Sequence, residues 1–440
     1  MKSLNNIFKS NLKTFKELKS FIILWSTQSL SQLGSAITGF ALTLWLYEKT
    51  GSALSTAALT ICSYAPYVLM SIFAGALTDR LDKKKTMLVC DTLAAVCTVT
   101  VLILYRLDLL KMWHLYAINA FSGLMNTVQQ PASEVANTLL TPKEHYQKAS
   151  GLMSLSRSLN SILNPLIATA LYGLGGLNLV ISIDLGTFLI AFTALLLFIK
   201  LPELERDDSE TEKQGVLKMA KEGLVFLKNT PLVFTLILFM SGVNLVASAF
   251  DATLPGYVIP NPRGGEIMLG VVTSCAGIAM IFGSLLVSIL PKPKNRVRVV
   301  YITMLISLGT ENYLLAFSRQ PVLWCIGQII GWILVPVMSA NLDVILRNTI
   351  PVELQGRVYA CRNTFQFFTI PIGLFVGGLM VDKVCEPFMA ARANIEWLQI
   401  LFGSGKGSGA ALMMFILGVA GTAICFITGQ RLKKYHFVEK

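Results

Sequence analysis

Charge is what this chain has least of. Of its 440 residues 14% are Asp, Glu, Lys or Arg and 54% are hydrophobic, too little charge to cover a soluble protein of that length. Histidine occurs three times, at His114, His145 and His436. No Cys/His or carboxylate cluster has catalytic or metal-ligand spacing, which argues against an enzyme, a resident metal or a cofactor. The eight cysteines contain no CxxC pair. Cys62, Cys90, Cys97, Cys275, Cys325, Cys361 and Cys425 lie in or beside apolar runs, and Cys385 has no second cysteine on its side, so no disulfide framework is indicated. A phosphate loop is missing too: "GSGKGSG" at 403–409 lacks the G-x4-G-K-[ST] spacing and reads as a flexible helix entry. The first apolar run is too long for a cleavable signal peptide and carries no small-residue cleavage site.

What the chain has is long apolar runs. Phe21 to Tyr47 contains no charged residue, and about 20 apolar residues cross a bilayer core. Similar runs follow at 54–77, 86–105, 112–134, 149–174, 178–199, 231–259, 266–290, 299–318, 321–345, 357–381 and 409–430. Each is bounded by charge, proline or glycine, the usual punctuation of helix ends. Twelve spans put both termini on one side, and basic residues choose the side. The connections at 1–20, 78–85, 135–148, 200–230, 291–298, 346–362 and 431–440 hold 28 Lys and Arg; the opposite connections hold 8, and Arg157 lies within a span. This places the chain in the plasma (inner) membrane with both termini cytosolic. The net charge of +12 then faces an anionic lipid leaflet and needs no nucleic acid.

Residues 1–20 read as a cytosolic interfacial segment, with Leu4, Phe8, Leu12, Phe15 and Leu18 on one helical face. Residues 200–230 form the longest cytosolic linker: a charged part, "ERDDSETEK", then a helical stripe of Leu217, Ala220, Leu224 and Leu227. The linker divides a bundle at 21–199 from one at 231–430, and 431–440 is a cytosolic tail. A shift of 209 residues lays 141–150 on 350–359, so that Pro142 meets Pro351, Glu144 meets Glu353 and Lys148 meets Arg357. Two parallel six-span repeats are how many secondary transporters alternate the access to one central site.

"GALTDRLDKKKTML" at 75–88 resembles the loop 2–3 signature of the major facilitator superfamily, G-x-L-x-D-R-x-G-R-[RK]-x-x-L. Gly75, Leu77, Asp79, Arg80, Lys83, Lys84 and Leu88 match, and Asp82 replaces the second glycine. Within that superfamily "STQSLSQLGSAITGFAL", "QQPASEVANTLLTPKE" and the Asp184-x-x-x-Phe188 pair look most like the macrolide-efflux and enterobactin-exporter group. The resemblance implies an all-α integral membrane protein of twelve transmembrane helices in two pseudo-symmetric six-helix bundles, functional as a monomer. It also implies a cytosolic gating latch in which Asp79, among Arg80, Lys83 and Lys84, faces the start of span 11 near Gly356–Arg357. The bland alternative is a loop whose lysines only set topology.

Polar residues recur at helical spacing in spans 1, 4, 7 and 10, among them Gln28, Gln32, Asn126, Gln130, Asn244, Ser248, Gln328 and Trp332. Lipid cannot satisfy such groups, so they face protein or a wet cavity, and the resemblance makes these four spans the walls of the substrate cavity. Interhelical hydrogen bonding is the alternative. The intramembrane charges Asp91, Glu134, Arg157, Asp184, Asp251, Glu311 and Asp343 each cost at least about 2.5 kcal/mol at the bilayer centre if unpaired. Arg157 needs an anion, for which Asp91 and Glu134 lie at comparable depth. Asp91, Glu134 or Asp251 can couple protons, whereas Glu134 and Asp343 can also be span-end residues and Asp184 structural. Span 5 keeps only Gly151 and Pro165 of the antiporter signature, with Asn160 and Asn164 at glycine positions.

The resulting expectation is a secondary active transporter: proton-coupled efflux of amphipathic, macrolide-like small molecules by alternating access. The partners are the small molecule and the lipid bilayer, and the energy source is the proton gradient. Export of an endogenous metabolite, siderophore or peptide keeps the fold and changes the cargo. A non-transporting membrane sensor is the remote alternative.

Overall fold

The computed structural model describes residues 17–80, 82–142, 145–201, 216–291 and 293–433. Among these residues the regular structure is helical, without strands. The helices are α1 (Lys19–Thr50), α2 (Ala53–Arg80), α3 (Lys83–Arg106) and α4 (Met112–Leu139). A continuous element, Tyr146–Phe198, is broken at Gly175 and Gly176 into α5 (146–174) and α6 (177–198). Gly176 takes φ +58°, the left-handed region in which glycine carries no Cβ penalty. After α7 (Val216–Asn229) come α8 (Pro231–Val258), α9 (Glu266–Ile289), α10 (Arg296–Phe317), α11 (Pro321–Ile333), α12 (Val335–Thr349) and α13 (Val352–Met380). A π-helical turn, Val381–Cys385, leads to the short α14 (Glu386–Ala391) and α15 (Glu396–Phe402), and α16 (Ser408–Leu432) closes the described chain.

Each of the twelve expected apolar runs falls on helical structure. Nine stretches among the described residues are long and apolar enough to cross a membrane, one of them the broken 44-residue stretch Leu155–Phe198. Helices α1 and α4 are not among the nine. The reason is compositional: they carry Gln28, Gln32 and Ser35, and Asn119, Asn126, Gln129, Gln130 and Glu134, so their polar stripes dilute the apolar average. Lipid explains the outside of these helices. Leu189, Leu197, Phe198, Phe282 and Ile289 are each more than half exposed, and apolar patches of that kind are not tolerated against water.

Contacts divide the chain into two compact units, Met1–Leu42 with Cys62–Arg206, and Thr43–Ile61 with Asp207–Lys440. In the first, Leu24, Met87, Ala132, Ala136, Leu195 and Ile199 form a core joining α1, α3, α4 and α6. A second cluster sets Leu18 and Phe21 against Ala149. In the second unit α8 is a central post, with Phe239, Phe250, Leu254 and Val258 buried. Leu227 of α7 is also buried in this unit, while Leu224 of the same stripe is 47% exposed. The interfacial segment up to Phe15, the charged linker sequence and the tail beyond Lys433 lie outside the described residues.

Candidate functional site: buried acids within the bundles

In the first unit two acids are spent on hydrogen bonds between helices. Asp91 of α3 is 7% exposed. Its Oδ2 accepts from Gln28 Nε2 at 3.1 Å, and its Oδ1 accepts from Gln129 Nε2 of α4. Two neutral amides therefore hold this carboxylate. Arg157, considered as its ionic partner, is exposed on α5. Asp184 of α6 is 4% exposed and accepts from Ser35 Oγ at 3.1 Å and Thr38 Oγ1 at 3.0 Å. It ties α6 to α1.

The loop 2–3 motif is partly on view. Gly75, Asp79 and Arg80 lie on helical backbone at the end of α2, but their side chains, like Arg357, are outside the described residues. Asp82 is the N-cap of α3, its Oδ1 accepting from Lys85 N at 2.8 Å. This explains why an aspartate can stand where the motif has glycine. Lys83 is buried at 9% exposure. Lys84 Nζ donates to the carbonyls of Leu196 (3.0 Å) and Ile199 (2.6 Å), a cation on the carbonyl end of α6 where the helix dipole favours it. One motif lysine thus fastens α3 to α6.

The second unit holds a different kind of acid. Glu311 of α10 is 6% exposed, and its Oε1 accepts from Trp332 Nε1 at 3.1 Å. The space for the carboxyl exists because residue 331 is glycine: a Cβ there would stand 2.5 Å from Glu311 Oε2. The α11 backbone is pinned at the same level by Ser307 Oγ, which donates to the Gly331 carbonyl at 2.5 Å. Asp251 is exposed, although α8 is more than half buried. A carboxyl within an apolar span is costly against lipid, so such residues face protein or a wet cavity. Among the described residues neither acid forms an ion pair. Asp343 does, at 3.7 Å from Arg362 Nη1.

The remaining polar positions fall into two groups. Gln32, Asn126, Gln130 and Glu134 are exposed. Gln28, Ser248 and Gln328 are buried, and Asn244 Nδ2 donates to the Gln366 carbonyl at 3.1 Å. Gln328 Nε2 is buried without a hydrogen-bond partner, as is Asn164 Oδ1 in α5. Asn160 is half-buried, Pro165 is buried, and Gly151 lies on the helical backbone of α5. Trp324 is fully buried, with its Nε1 donating to Tyr257 Oη (3.1 Å) and the Ser318 carbonyl (3.0 Å). Its role is to lock α8 to the α10–α11 turn.

Sequence reasoning missed Gln129 in favour of Gln130. The polar stripe of α4 runs through Asn119, Ser122, Asn126 and Gln130, and the next residue along the helix is turned about 100° away from it, here toward α3. The Trp332–Glu311 bond joins residues of different helices, so local periodicity contained no sign of it.

The model of the Major Facilitator Superfamily matches residues 24–373. The chain belongs to that superfamily. Among curated relatives it is 26% identical over 369 residues to macrolide efflux protein A of Streptococcus pyogenes, covering 83% of this chain and 90% of the relative. It is 24% identical to the multidrug efflux pump Tap of Mycolicibacterium fortuitum, covering 79% of this chain and 86% of Tap. Among solved structures, a bacterial homologue of the human lysosomal transporter Spinster, inward-facing and occupied, aligns with TM-score 0.70 at 13% identity over 96% of this chain and 98% of the other. A bacterial homologue of the iron transporter ferroportin, inward-facing, aligns with TM-score 0.68 at 14% identity over 94% and 98%. At those identities the structural likeness establishes the fold alone. The facilitator is thus a multi-pass membrane transporter.

Proposed function

We propose that this facilitator exports amphipathic, macrolide-like small molecules from the cytosol in exchange for protons, by alternating access. Both termini are cytosolic in this reading, because the basic residues gather on that side. The observation that supports the coupling is that two acids of one unit, Asp251 of α8 and Glu311 of α10, have no cationic partner among the described residues. A carboxyl without a counter-ion can bind and release a proton as its surroundings change. The open face at Asp251 gives that proton a route from water, and Trp332 keeps Glu311 oriented. The efflux relatives support the export direction and the substrate class. The thermodynamics suffice. At about 150 mV one proton supplies roughly 3.5 kcal/mol, enough for a few-hundred-fold concentration ratio.

Inside-out vesicles containing the protein should accumulate a labelled macrolide when an inward-acid gradient is imposed, and lose it when the gradient is collapsed. Equal handling of every compound in a chemically varied panel would contradict drug export. Accumulation that survives the collapse would contradict proton coupling.

A further inference from the structure

Two acids one helical turn apart each cap a helix that begins elsewhere in the chain. Glu386 of α14 accepts from the backbone N of Gly407 (2.9 Å) and Ala410 (3.3 Å) at the start of α16. Asp382, on the π-helical turn, does the same for α2. Its Oδ2 accepts from Ser52 Oγ at 2.5 Å and Leu54 N at 2.9 Å, and its Oδ1 from Ala53 N at 3.1 Å. A helix start leaves four amides unpaired. Ser52 Oγ answers that of Ser55 at 3.1 Å, and a carboxylate some 330 residues further along the chain answers two more.

The contact is seated on a close approach. A Cβ at Gly378 would lie 2.7 Å from Leu54 Cα, so only glycine lets α13 meet α2 there. Below it Ala57, Ala252 and Leu374 pack with Ile61 and Ile370. All these residues belong to one compact unit, whereas the remaining lengths of α1 and α2, to Leu42 and from Cys62, belong to the other. Ala57, Ala252 and Gly378 let the helices approach closely, and Leu374, Ile61 and Ile370 supply the apolar contact that holds them. A pocket of about 560 Å³ lined by Asp382, Glu386, Gln399 and Lys406 gives the freed carboxylate water.

We propose that Asp382 is a positioning residue of the transport cycle, a clasp that holds residues 43–61 on the carboxy-terminal helices while this mouth of the protein is shut and lets them go when it opens. The proposal rests on the alternating-access reading and its orientation, which put this mouth outside the cell.

The test uses the full-length protein carrying Ala57→Cys, exposed to a membrane-impermeant maleimide, with labelling read at residue 57 by peptide mass spectrometry. Exchange of a labelled macrolide is measured beside it. Asp382→Ala should raise the labelling rate about tenfold or more, the effect of deleting an anionic acceptor of several hydrogen bonds, and should slow exchange. Asp382→Asn, whose amide oxygen still caps, should fall between, and it decides the matter if the alanine variant does not fold. Unchanged labelling overturns the clasp, and faster labelling with unaltered exchange overturns its part in the cycle. Labelling from inside-out but not right-side-out vesicles contradicts the orientation, and absent macrolide flux in the parent contradicts the export reading; the ratio of labelling rates still judges the clasp in both cases.

Discussion

Replacing Glu311 by glutamine should leave a carrier that still exchanges macrolide across the membrane but no longer concentrates it. Glutamine keeps the shape that fits against Gly331 and an oxygen for Trp332 Nε1, while removing the carboxyl proposed to take a proton. The accumulation ratio in energised vesicles should therefore fall from a few-hundred-fold, the limit set by one proton at about 150 mV, to about one. Asp251→Asn should have the same effect, and the double variant should be no worse than either single one, because groups acting as one proton site are not additive. Trp332→Phe retains the ring and loses the N–H, and should give an intermediate ratio. Full accumulation by Glu311→Gln would remove the pair from the mechanism.

Asp184→Ala should do the opposite. Asp184 is as deeply buried as Glu311, but Ser35 and Thr38 answer both of its oxygens. Hydrogen bonds to a charged group contribute about 1.5–3 kcal/mol each, so the variant should lose roughly 3 kcal/mol of stability. In detergent the thermal midpoint should drop by several degrees, with flux per folded molecule preserved. Lost flux at an unchanged midpoint would show that Asp184 belongs to the transport machinery. Together the two variants separate a loss of energised accumulation from a loss of stability.

The helices were legible in the sequence because lipid imposes a simple rule: every span must be about 20 apolar residues long, and proline, glycine and charge mark its ends. Even the break inside the apolar stretch Leu155–Phe198 was readable from Gly175 and Gly176. The polar stripes were legible as stripes, since a helix repeats every 3.6 residues. What each polar residue touches was not. Asp91 and Asp184 look alike in sequence, and their partners come from helices about 38 to 149 residues away. The same holds for Glu311 and for Asp382, whose partner helix begins near the other end of the chain. Asp82 is the instructive local case: it departs from the family motif, and the capping preference of aspartate just before a helix accounts for it.

Exchange of substrate for protons is tested most directly by substrate-driven proton movement. In inside-out vesicles with an acidic lumen, reported by a trapped fluorescent amine, adding a macrolide should release protons and restore fluorescence within the time course of uptake. Neither Glu311→Gln nor Asp251→Asn should show this release. Macrolide uptake by the unaltered protein without any recovery of fluorescence would contradict the account.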